Sequence, residues 1–360
     1  MEYLEITSLS DRIRPLGRTL MDHDAGILWF NWSLAGVELC LRGTTLLAEL
    51  CALPGEELDR DERTGQTTER PTWPWCAVVL DSNDVPSAVF EVQGGRCVRL
   101  VFHDAADGTH RIRLVKRTEN GKGFLGVRGF WAEGELLPIS PVSDKKQIVF
   151  IGDSITCGFG NSTTDRNRRF FSADEDAWMA YGAVTSRLLG FEPTFVCSSG
   201  ICLTRYTGWS HRYCMEDLYD YTDRMFEEKT GCHALACWKF DEHPADYVVL
   251  NLGTNDVNAL MQSGESASCY AEAYRKFISH LRAVHPGAWI VCALGCMDYY
   301  LYPEIVSAIE EYRCTAGDER ISCLRYPKID VAGPVGACGH PHIVTHLKMA
   351  DTLADHIRNL

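Results

Sequence analysis

The residues best suited to nucleophilic chemistry lie in four short stretches of the second half of the chain. They are Ser154 in "GDSIT", Gly200 in "SSG", Asn255 in "GTND" and His340 in "CGHPH". A serine hydroxyl is a weak nucleophile that needs a base within hydrogen-bonding reach, and histidine is a base near neutral pH. Attack on an acyl carbon creates an oxyanion, for which the N–H groups of Ser154 and Gly200 and the Asn255 amide are suitable donors. The set predicts acyl transfer if the fold brings the stretches together.

The apolar pattern of the second half places these residues at strand ends. Strands are predicted at 148–152, 194–198, 246–252, 288–294 and 321–326, with helical patterns between them. Ser154, Gly200 and Asn255 follow the first three strands, and His340 comes between the fifth strand and a final helix at 343–358. In open parallel sheets, ligands bind outside the carboxyl ends of the strands. We therefore expect a doubly wound five-stranded parallel sheet with the four residues at one edge.

The first 140 residues follow another pattern. Short apolar or alternating runs are separated by Gly, Asp, Asn and Pro turns, without helical periodicity of useful length. Seven or eight such strands predict an antiparallel β-sandwich or jelly roll. The stretch 136–147 has two prolines and is the expected linker. The predicted domains are thus a β-sandwich over 1–140 and an α/β domain over 147–360.

Three helical segments of the second domain give specific expectations. The apolar stripe Tyr270, Tyr274, Phe277, Ile278 and Leu281 predicts a packed helix over 267–285. A second helix is predicted over 177–190, with Gly190 as the residue that ends it. The acidic run "EDLYDYTDRMFEE" at 216–228 is expected to be a solvated helix face.

The composition excludes several classes of partner. The 360-residue chain is 46% hydrophobic and has a formal net charge of −14, so nucleic acid and anionic membrane surfaces are unfavourable partners. No apolar window has the length of a membrane span, and the N-terminus lacks a signal-peptide pattern. Because no export signal is apparent and many of the 16 cysteines lie within apolar runs, with no C-x-x-C pair, we expect buried reduced thiols and a cytoplasmic location. The sequence leaves a homo-oligomer open.

The four stretches together resemble the SGNH (GDSL-type) hydrolases, and the whole chain resembles carbohydrate esterase family 2. The second resemblance rests on the β-rich first domain with "GTHRIRLVKRTE" near its end, then "GDSITCGFGN", "AYGAVTSRLLG", "GTND" and a late "HP". It implies that Ser154 is the nucleophile, Gly200 and Asn255 are oxyanion donors, and His340 is the base. It also implies removal of O-acetyl groups from hemicellulosic sugars such as acetylated xylan, through an acyl-enzyme and without metal or other cofactor.

The sequence departs from this family just before the base. SGNH enzymes often have Asp three residues before the histidine, and the sugar esterases often have Asp two before it, followed by an aromatic. Here those positions hold Ala337, Cys338 and Gly339. We therefore expect that either Asp330, from a loop that folds back, or a backbone carbonyl orients His340. The second arrangement is a Ser–His dyad.

Two other groups have catalytic or metal-binding residue types. Asp241 and His243 also form an Asp-x-His pair, but they precede a strand and belong at the opposite edge of the sheet. One cysteine and three histidines cluster within 338–346. No carboxylate pair or cysteine pair completes a zinc set there, so no metal site is predicted.

Three residues near the stretches have two interpretations each. Asp153 and Asp256 are adjacent to the candidate site residues, but helix capping and turn bonding explain acids there equally well. Trp209, in "RYTGWSHRY", is a candidate for stacking on a sugar ring or for packing its own loop.

The sequence thus predicts a serine esterase acting on acetylated oligosaccharides. Two alternatives stay open: a lipase-like or thioesterase enzyme of the same architecture, and a carbohydrate-binding protein whose esterase site has decayed.

Overall fold

The chain folds into two compact units, each built on its own β-sheet. A computed structural model describes residues 1–60, 67–140, 144–232 and 234–360. The first unit contains Met1–Asp144 and Thr222–Leu235, and the second contains Lys145–Tyr221 and Ala236–Leu360. The sequence prediction left 222–235 in the second domain. Residues 141–143 of the predicted linker lie outside the described residues.

Antiparallel strands form the first unit, as the sequence predicted. They are β1 (Glu2–Glu5), β2 (Ile13–Leu16), β3 (Leu20–Asp22), β4 (Ile27–Trp29), β5 (Gly36–Leu53), β6 (Gly55–Arg60), β7 (Thr67–Thr72), β8 (Trp75–Leu80), β9 (Ala88–Glu91), β10 (Cys97–Lys116) and β11 (Phe124–Leu137). Strands β6 and β7 form a separate hairpin, and the others belong to one nine-stranded sheet. The long strand β5 pairs with β10 along most of its length and exchanges its other neighbour from β2 to β11. Register shifts within the β5–β10 and β5–β11 pairs interrupt the ladders.

The segment Thr222–Leu235 completes the interior of the first unit. Phe226, in a short helix of this segment, packs its ring 4.7 Å from that of Trp29 and 5.2 Å from that of Phe124. The prediction of a solvated helix face for 216–228 is therefore wrong in this part. The side chain of Phe226 is buried against the sheet. The prediction of a solvated face rested on the acidic residues around it, which are usually exposed.

The second unit contains five parallel strands. They are β12 (Gln147–Gly152), β13 (Glu192–Cys197), β14 (Tyr247–Asn251), β15 (Trp289–Leu294) and β16 (Ile321–Arg325), in the spatial order β13-β12-β14-β15-β16. Strands β12, β14 and β15 are buried almost throughout, which is typical of a sheet covered on both faces. The strand order reverses between β12 and β14, where ligands bind in folds of this class. The predicted fold class is confirmed.

Eight α-helices accompany the described strands. They are α1 (Ser154–Cys157), α2 (Tyr181–Leu189), α3 (Met215–Leu218), α4 (Arg224–Lys229), α5 (Thr254–Ser263), α6 (Ala267–Val284), α7 (Tyr302–Ala316) and α8 (Ile343–Arg358). The five apolar residues predicted to face the core from α6 are all buried. Helix α2 is shorter than predicted because Ala180 is extended and separates it from a 3-10 turn at Ala177–Met179. No helix in the described ranges has the length and apolar character of a membrane span.

Candidate active site

Ser154 is the first residue of α1, and only Asp153 separates it from β12. The side chain of Asp153 caps the helix by accepting the N–H of Ile155 at 2.9 Å. Gly152 must lack a side chain here, since a Cβ would lie 1.9 Å from Oγ1 of Thr156. The strand, the missing Cβ and the cap together fix Ser154 at the start of α1, where it is 6% exposed.

The structure brings Ser154 and His340 into contact. Nε2 of His340 lies 2.9 Å from Oγ of Ser154, although the two residues are 186 positions apart. Backbone hydrogen bonds before and after His340 hold its loop in the position that allows this contact. Ala337 donates to the carbonyl of Gly160, and Ile343 donates to the carbonyl of Asn161, each at 3.0 Å. The "GFGN" segment that follows Ser154 thus holds the loop that carries His340.

The imidazole of His340 lies in an apolar environment. The ring of Phe159 packs against it with centroids 4.3 Å apart, and Phe170 stacks on the far side of Phe159 at 4.1 Å. Burial lowers the pKa of His340 to about 4. The backbone of Ala337 and Cys338 partly offsets that lowering by favouring the charged ring. The ring is therefore neutral near pH 7 and able to accept a proton.

The remaining ring nitrogen of His340 has no side-chain partner. Its Nδ1 is buried and forms no hydrogen bond with the described residues, although the backbone of Ala337 and Cys338 lies beside the ring. The structure does not bring Asp330 to it. Asp330 is exposed, and its Oδ1 accepts the N–H of Ala332 at 3.0 Å, so its carboxylate stabilises its own turn. Of the two predicted ways to orient His340, only a backbone carbonyl is compatible with this placement.

Gly200, in a loop, and Asn255, in a helix, lie at the same edge of the sheet. Gly200 follows β13 with φ of +78°, a conformation that glycine adopts without strain. Asn255, in the first turn of α5, donates from Nδ2 to the carbonyl of Ile201 at 3.0 Å. This bond orients the amide and leaves one of its two N–H groups for a ligand. The N–H groups of Ser154 and Gly200 have no acceptor in the part of the chain that the structure describes.

Asp256 holds the loop that follows Gly200. It is fully buried, and its carboxylate accepts the Leu203 N–H at 3.0 and 3.2 Å and the Tyr206 hydroxyl at 2.9 Å. Burial raises the pKa of Asp256 to about 7, which the hydrogen bond from Tyr206 opposes. The hydrogen bonds from Leu203 reach Asp256 across 53 residues, so they are neither the helix capping nor the local turn bonding predicted for this acid. The sequence did not indicate that the turn it bonds is the one after Gly200.

His211 and Phe159 are further residues that the sequence prediction missed. The two ring nitrogens of His211 lie 3.1 Å from the Ser199 carbonyl and 3.0 Å from the Tyr213 carbonyl, so the ring closes the loop over Gly200. Phe159 belongs to the quoted "GDSITCGFGN" stretch, and its position five residues after Ser154 was an available signal. Nothing local to His211 in the sequence distinguished it.

Trp209 lies half-buried in the same loop. Its backbone N–H donates to Tyr206 at 3.3 Å, and its indole Nε1 has no acceptor among the described residues. No recorded contact joins Trp209 to Ser154 or His340 within the described ranges, so stacking on a sugar stays a prediction.

The histidines of the two other groups considered in the sequence, His243 and those of 338–346, have structural partners. His243 stacks on Trp238 at 4.3 Å and precedes β14, at the amino edge of the sheet. His342 caps α8 by accepting the Val344 N–H at 3.2 Å, and His346 accepts the Tyr181 N–H at 3.2 Å. The histidines of 338–346 thus face three different partners.

Comparison with known proteins identifies the same architecture elsewhere. The sequence model of the GDSL-like Lipase/Acylhydrolase family matches residues 150–316. A cellulase/esterase of Acetivibrio thermocellus is 31% identical over 290 residues, which are 79% of this chain and 34% of that protein. The chain thus spans about a third of the length of this relative. An acetylxylan esterase/glucomannan deacetylase of Cellvibrio japonicus is 26% identical over 81% of this chain and 74% of its own length.

Solved structures agree over nearly the whole chain. A family two carbohydrate esterase from Clostridium thermocellum, in complex with cellohexaose, is 29% identical with a TM-score of 0.80. The match covers 96% of this chain and 98% of that one. The acetyl xylan esterase Est2A from Butyrivibrio proteoclasticus, at 24% identity and a TM-score of 0.83, has the same fold across 99% of this chain and 98% of its own.

Proposed function

Because the chain belongs to carbohydrate esterase family 2 of the GDSL/SGNH hydrolases, we propose that it removes O-acetyl groups from hemicellulose-type oligosaccharides. The observation that carries this proposal is the 2.9 Å contact between His340 Nε2 and Ser154 Oγ beside uncommitted N–H donors. One of the relatives named above is an acetylxylan esterase/glucomannan deacetylase and the other a cellulase/esterase, which supports an acetylated sugar as substrate.

The proposed reaction has two steps. His340 Nε2 takes the proton of Ser154 as Oγ attacks the acetyl carbon, and the N–H groups of Ser154 and Gly200 and the Asn255 amide receive the oxyanion. The sugar hydroxyl leaves with the proton from His340. Water, deprotonated by the same ring, then attacks the acyl-enzyme and releases acetate, which restores Ser154.

We infer that Ser154 and His340 act as a dyad. The short 3-10 turn at Ala337–Gly339 places backbone carbonyls next to the ring, and they favour its protonated form. A carbonyl that accepts from Nδ1–H once substrate is bound stabilises the imidazolium without a carboxylate. Trp209, with an unsatisfied indole N–H beside the Gly200 loop, is the proposed sugar-stacking residue.

A serine-reactive phosphonate tests this assignment. We expect it to label Ser154, as read by mass spectrometry, and we expect Ser154→Ala to keep the fold and lose about three orders of magnitude or more in kcat. Labelling elsewhere, or turnover that survives in Ser154→Ala, contradicts the proposal. Sugar binding without labelling favours the predicted alternative of a decayed site. An acyl-length series of nitrophenyl esters separates an acetylesterase from a lipase-like or thioesterase enzyme.

A further inference from the structure

A pocket of about 340 Å³ lies next to the loop that carries His340. Cys338 and Gly339, the two residues before His340, form part of its wall, and the rest comes from loops after α1, β15 and β16. Ser154 and His340 are not among the described residues that line it. The pocket therefore shares the carboxyl edge of the sheet with the Ser154–His340 pair but is a separate space.

Two cations and one amide face this pocket. Arg166 is oriented by a hydrogen bond from its guanidinium to the Val331 carbonyl at 2.7 Å, which leaves further N–H donors. Lys328 has no ion pair or hydrogen bond with any residue that the structure describes, and the same holds for the Asn167 side chain. A fixed guanidinium, a free ammonium and a free amide form a donor set for a carboxylate.

No carboxylate of the described residues forms an ion pair with Arg166 or Lys328. The described lining contains no Asp or Glu. Asp330 lies between two lining residues, but its carboxylate accepts the Ala332 N–H. Asp298 accepts the Tyr300 N–H at 3.3 Å; burial raises its pKa, and the Lys328 charge opposes that rise. In a chain with a net charge of −14, a recess whose described lining has two cations and no acid attracts an anionic group.

The rest of the lining limits the ligand to one compact group. Met297, Ile329 and Val335 add apolar surface to the same lining. The volume is at the lower end of the range for small-molecule sites, which suits one substituent rather than a chain. A hexuronosyl unit is a sugar ring with apolar faces and one carboxylate substituent. It therefore matches both the charge and the volume of the pocket.

We propose that this pocket binds a carboxylate-bearing sugar, a hexuronosyl branch, on the oligosaccharide whose acetyl group reaches Ser154. The proposal rests on the proposed function for the acetyl group and adds an acidic substrate class to it. The Gly339 N–H donates to the Arg166 carbonyl at 3.2 Å, so occupancy of the pocket is coupled by one hydrogen bond to the loop of His340.

Matched substrates test the proposal. We would measure kcat and KM on an acetylated xylo-oligosaccharide and on the same oligosaccharide with one uronosyl branch, in wild type, Lys328→Gln and Lys348→Gln. Lys348 is an exposed residue of α8 outside the pocket, so its variant controls for the loss of one charge. We expect wild type to favour the acidic substrate about tenfold in kcat/KM through KM, and Lys328→Gln to lose most of that preference. Lys348→Gln keeps it, and added salt reduces it.

The possible outcomes separate this proposal from the proposed function. Equal kcat/KM on both substrates, or the same loss of preference in both lysine variants, overturns the pocket assignment while the esterase stands. If no ester is hydrolysed, calorimetry with the deacetylated oligosaccharides still decides, since the pocket predicts tighter binding of the branched one. Free glucuronate that binds as tightly as the branched oligosaccharide shows a simple carboxylate site and also overturns the proposal. If Lys328→Gln fails to fold, Arg166→Gln takes its place.

Discussion

A buried acid of the first unit and the buried groups beside Ser154 in the second unit differ in how fully they are bonded. In the first unit, Oδ2 of Asp223 accepts from Asn31 at 2.5 Å and Oδ1 accepts from Asn120 at 2.9 Å, so both carboxylate oxygens are satisfied. In the second unit, Nδ1 of His340 and Oδ2 of Asp153 are buried without a partner in the described chain. A buried polar group with full bonding supports the fold, whereas unused bonding capacity beside a nucleophile marks where a ligand completes the site.

Among the predictions that test this difference, removal of the Asp223 carboxylate has the largest expected effect, a loss of stability. Asp223→Ala leaves two buried amides without an acceptor and removes the cap of α4, whose Phe226 N–H bonds to Oδ1 at 3.2 Å. We expect a loss of about 3 kcal/mol in the free energy of unfolding by urea titration, with kcat of the folded protein unchanged. The exposed residue Asp24 is the matched control, and Asp24→Ala should change stability by about 0.5 kcal/mol at most. A fall in kcat for Asp223→Ala would show that the two kinds of buried group are not separate.

The acid limb of the pH profile tests the environment of His340. The base acts only when neutral, and its pKa is lowered from 6.5 to about 4. Activity at about pH 5 should therefore be about thirtyfold higher than an ordinary histidine allows. The measurement is kcat/KM for 4-nitrophenyl acetate against pH. A half-maximal point near 6.5 contradicts the burial argument.

The same shift affects stability with a defined sign. The unfolded ring takes up a proton below about pH 6.5 and the folded ring only near 4, so this group lowers the free energy of unfolding as pH falls through that window. Asp153 and Asp256, whose pKa values burial raises to about 7, act in the opposite direction. The kinetic profile is therefore the cleaner test of His340.

Asp256 is fully bonded like Asp223, but it belongs to the active site like His340. Both of its carboxylate oxygens accept hydrogen bonds, and the loop that they hold carries Gly200. Asp256→Asn replaces one acceptor oxygen by an N–H₂ that faces the Leu203 and Tyr206 donors. We expect kcat to fall about tenfold with KM little changed, since an oxyanion donor acts mainly in the transition state. Asp351, exposed on α8, gives the matched control Asp351→Asn. An increase in KM alone argues against positioning of the donor.

Asp330 should have the smallest effect. Its carboxylate bonds within its own turn and does not reach His340, so Asp330→Asn should keep kcat within about twofold of wild type. A hundredfold lower kcat with unchanged stability restores Asp330 as the group that orients the base, and the dyad is then wrong.

The parallel strands, and therefore their carboxyl edge, could be predicted because each strand is a short apolar run that is visible in the local sequence. Each predicted parallel strand overlaps the observed one, and the apolar stripe of α6 is buried as expected. The rule that ligands bind at one edge then brought Ser154 and His340 together without any contact information. The break at Ala180 escaped prediction because the Asp176 side chain accepts the N–H groups of Trp178 and Met179, which favours a short 3-10 turn over a continuous helix.

The parts that could not be predicted depend on long-range partners. Asp223 and Phe226 are hidden in an acidic run, and only their contacts with Asn31 and Trp29 explain their burial. Asp330 was a reasonable candidate by position, but a bond to the amide two residues later decides where its carboxylate points. Neither the long-range partners of Asp223 and Phe226 nor the bond that orients Asp330 can be derived from the spacing of residues in the sequence.

The membership of Thr222–Leu235 in the first unit limits how this protein can be divided. A fragment that ends at Asp144 leaves Trp29 and Phe124 exposed and Asn31 without its acceptor, so it lacks part of its own interior. The remaining fragment carries that missing piece as an unanchored loop. Exchange of the N-terminal half between relatives, by recombination or by gene fusion, therefore requires the distant fourteen-residue stretch to be exchanged with it.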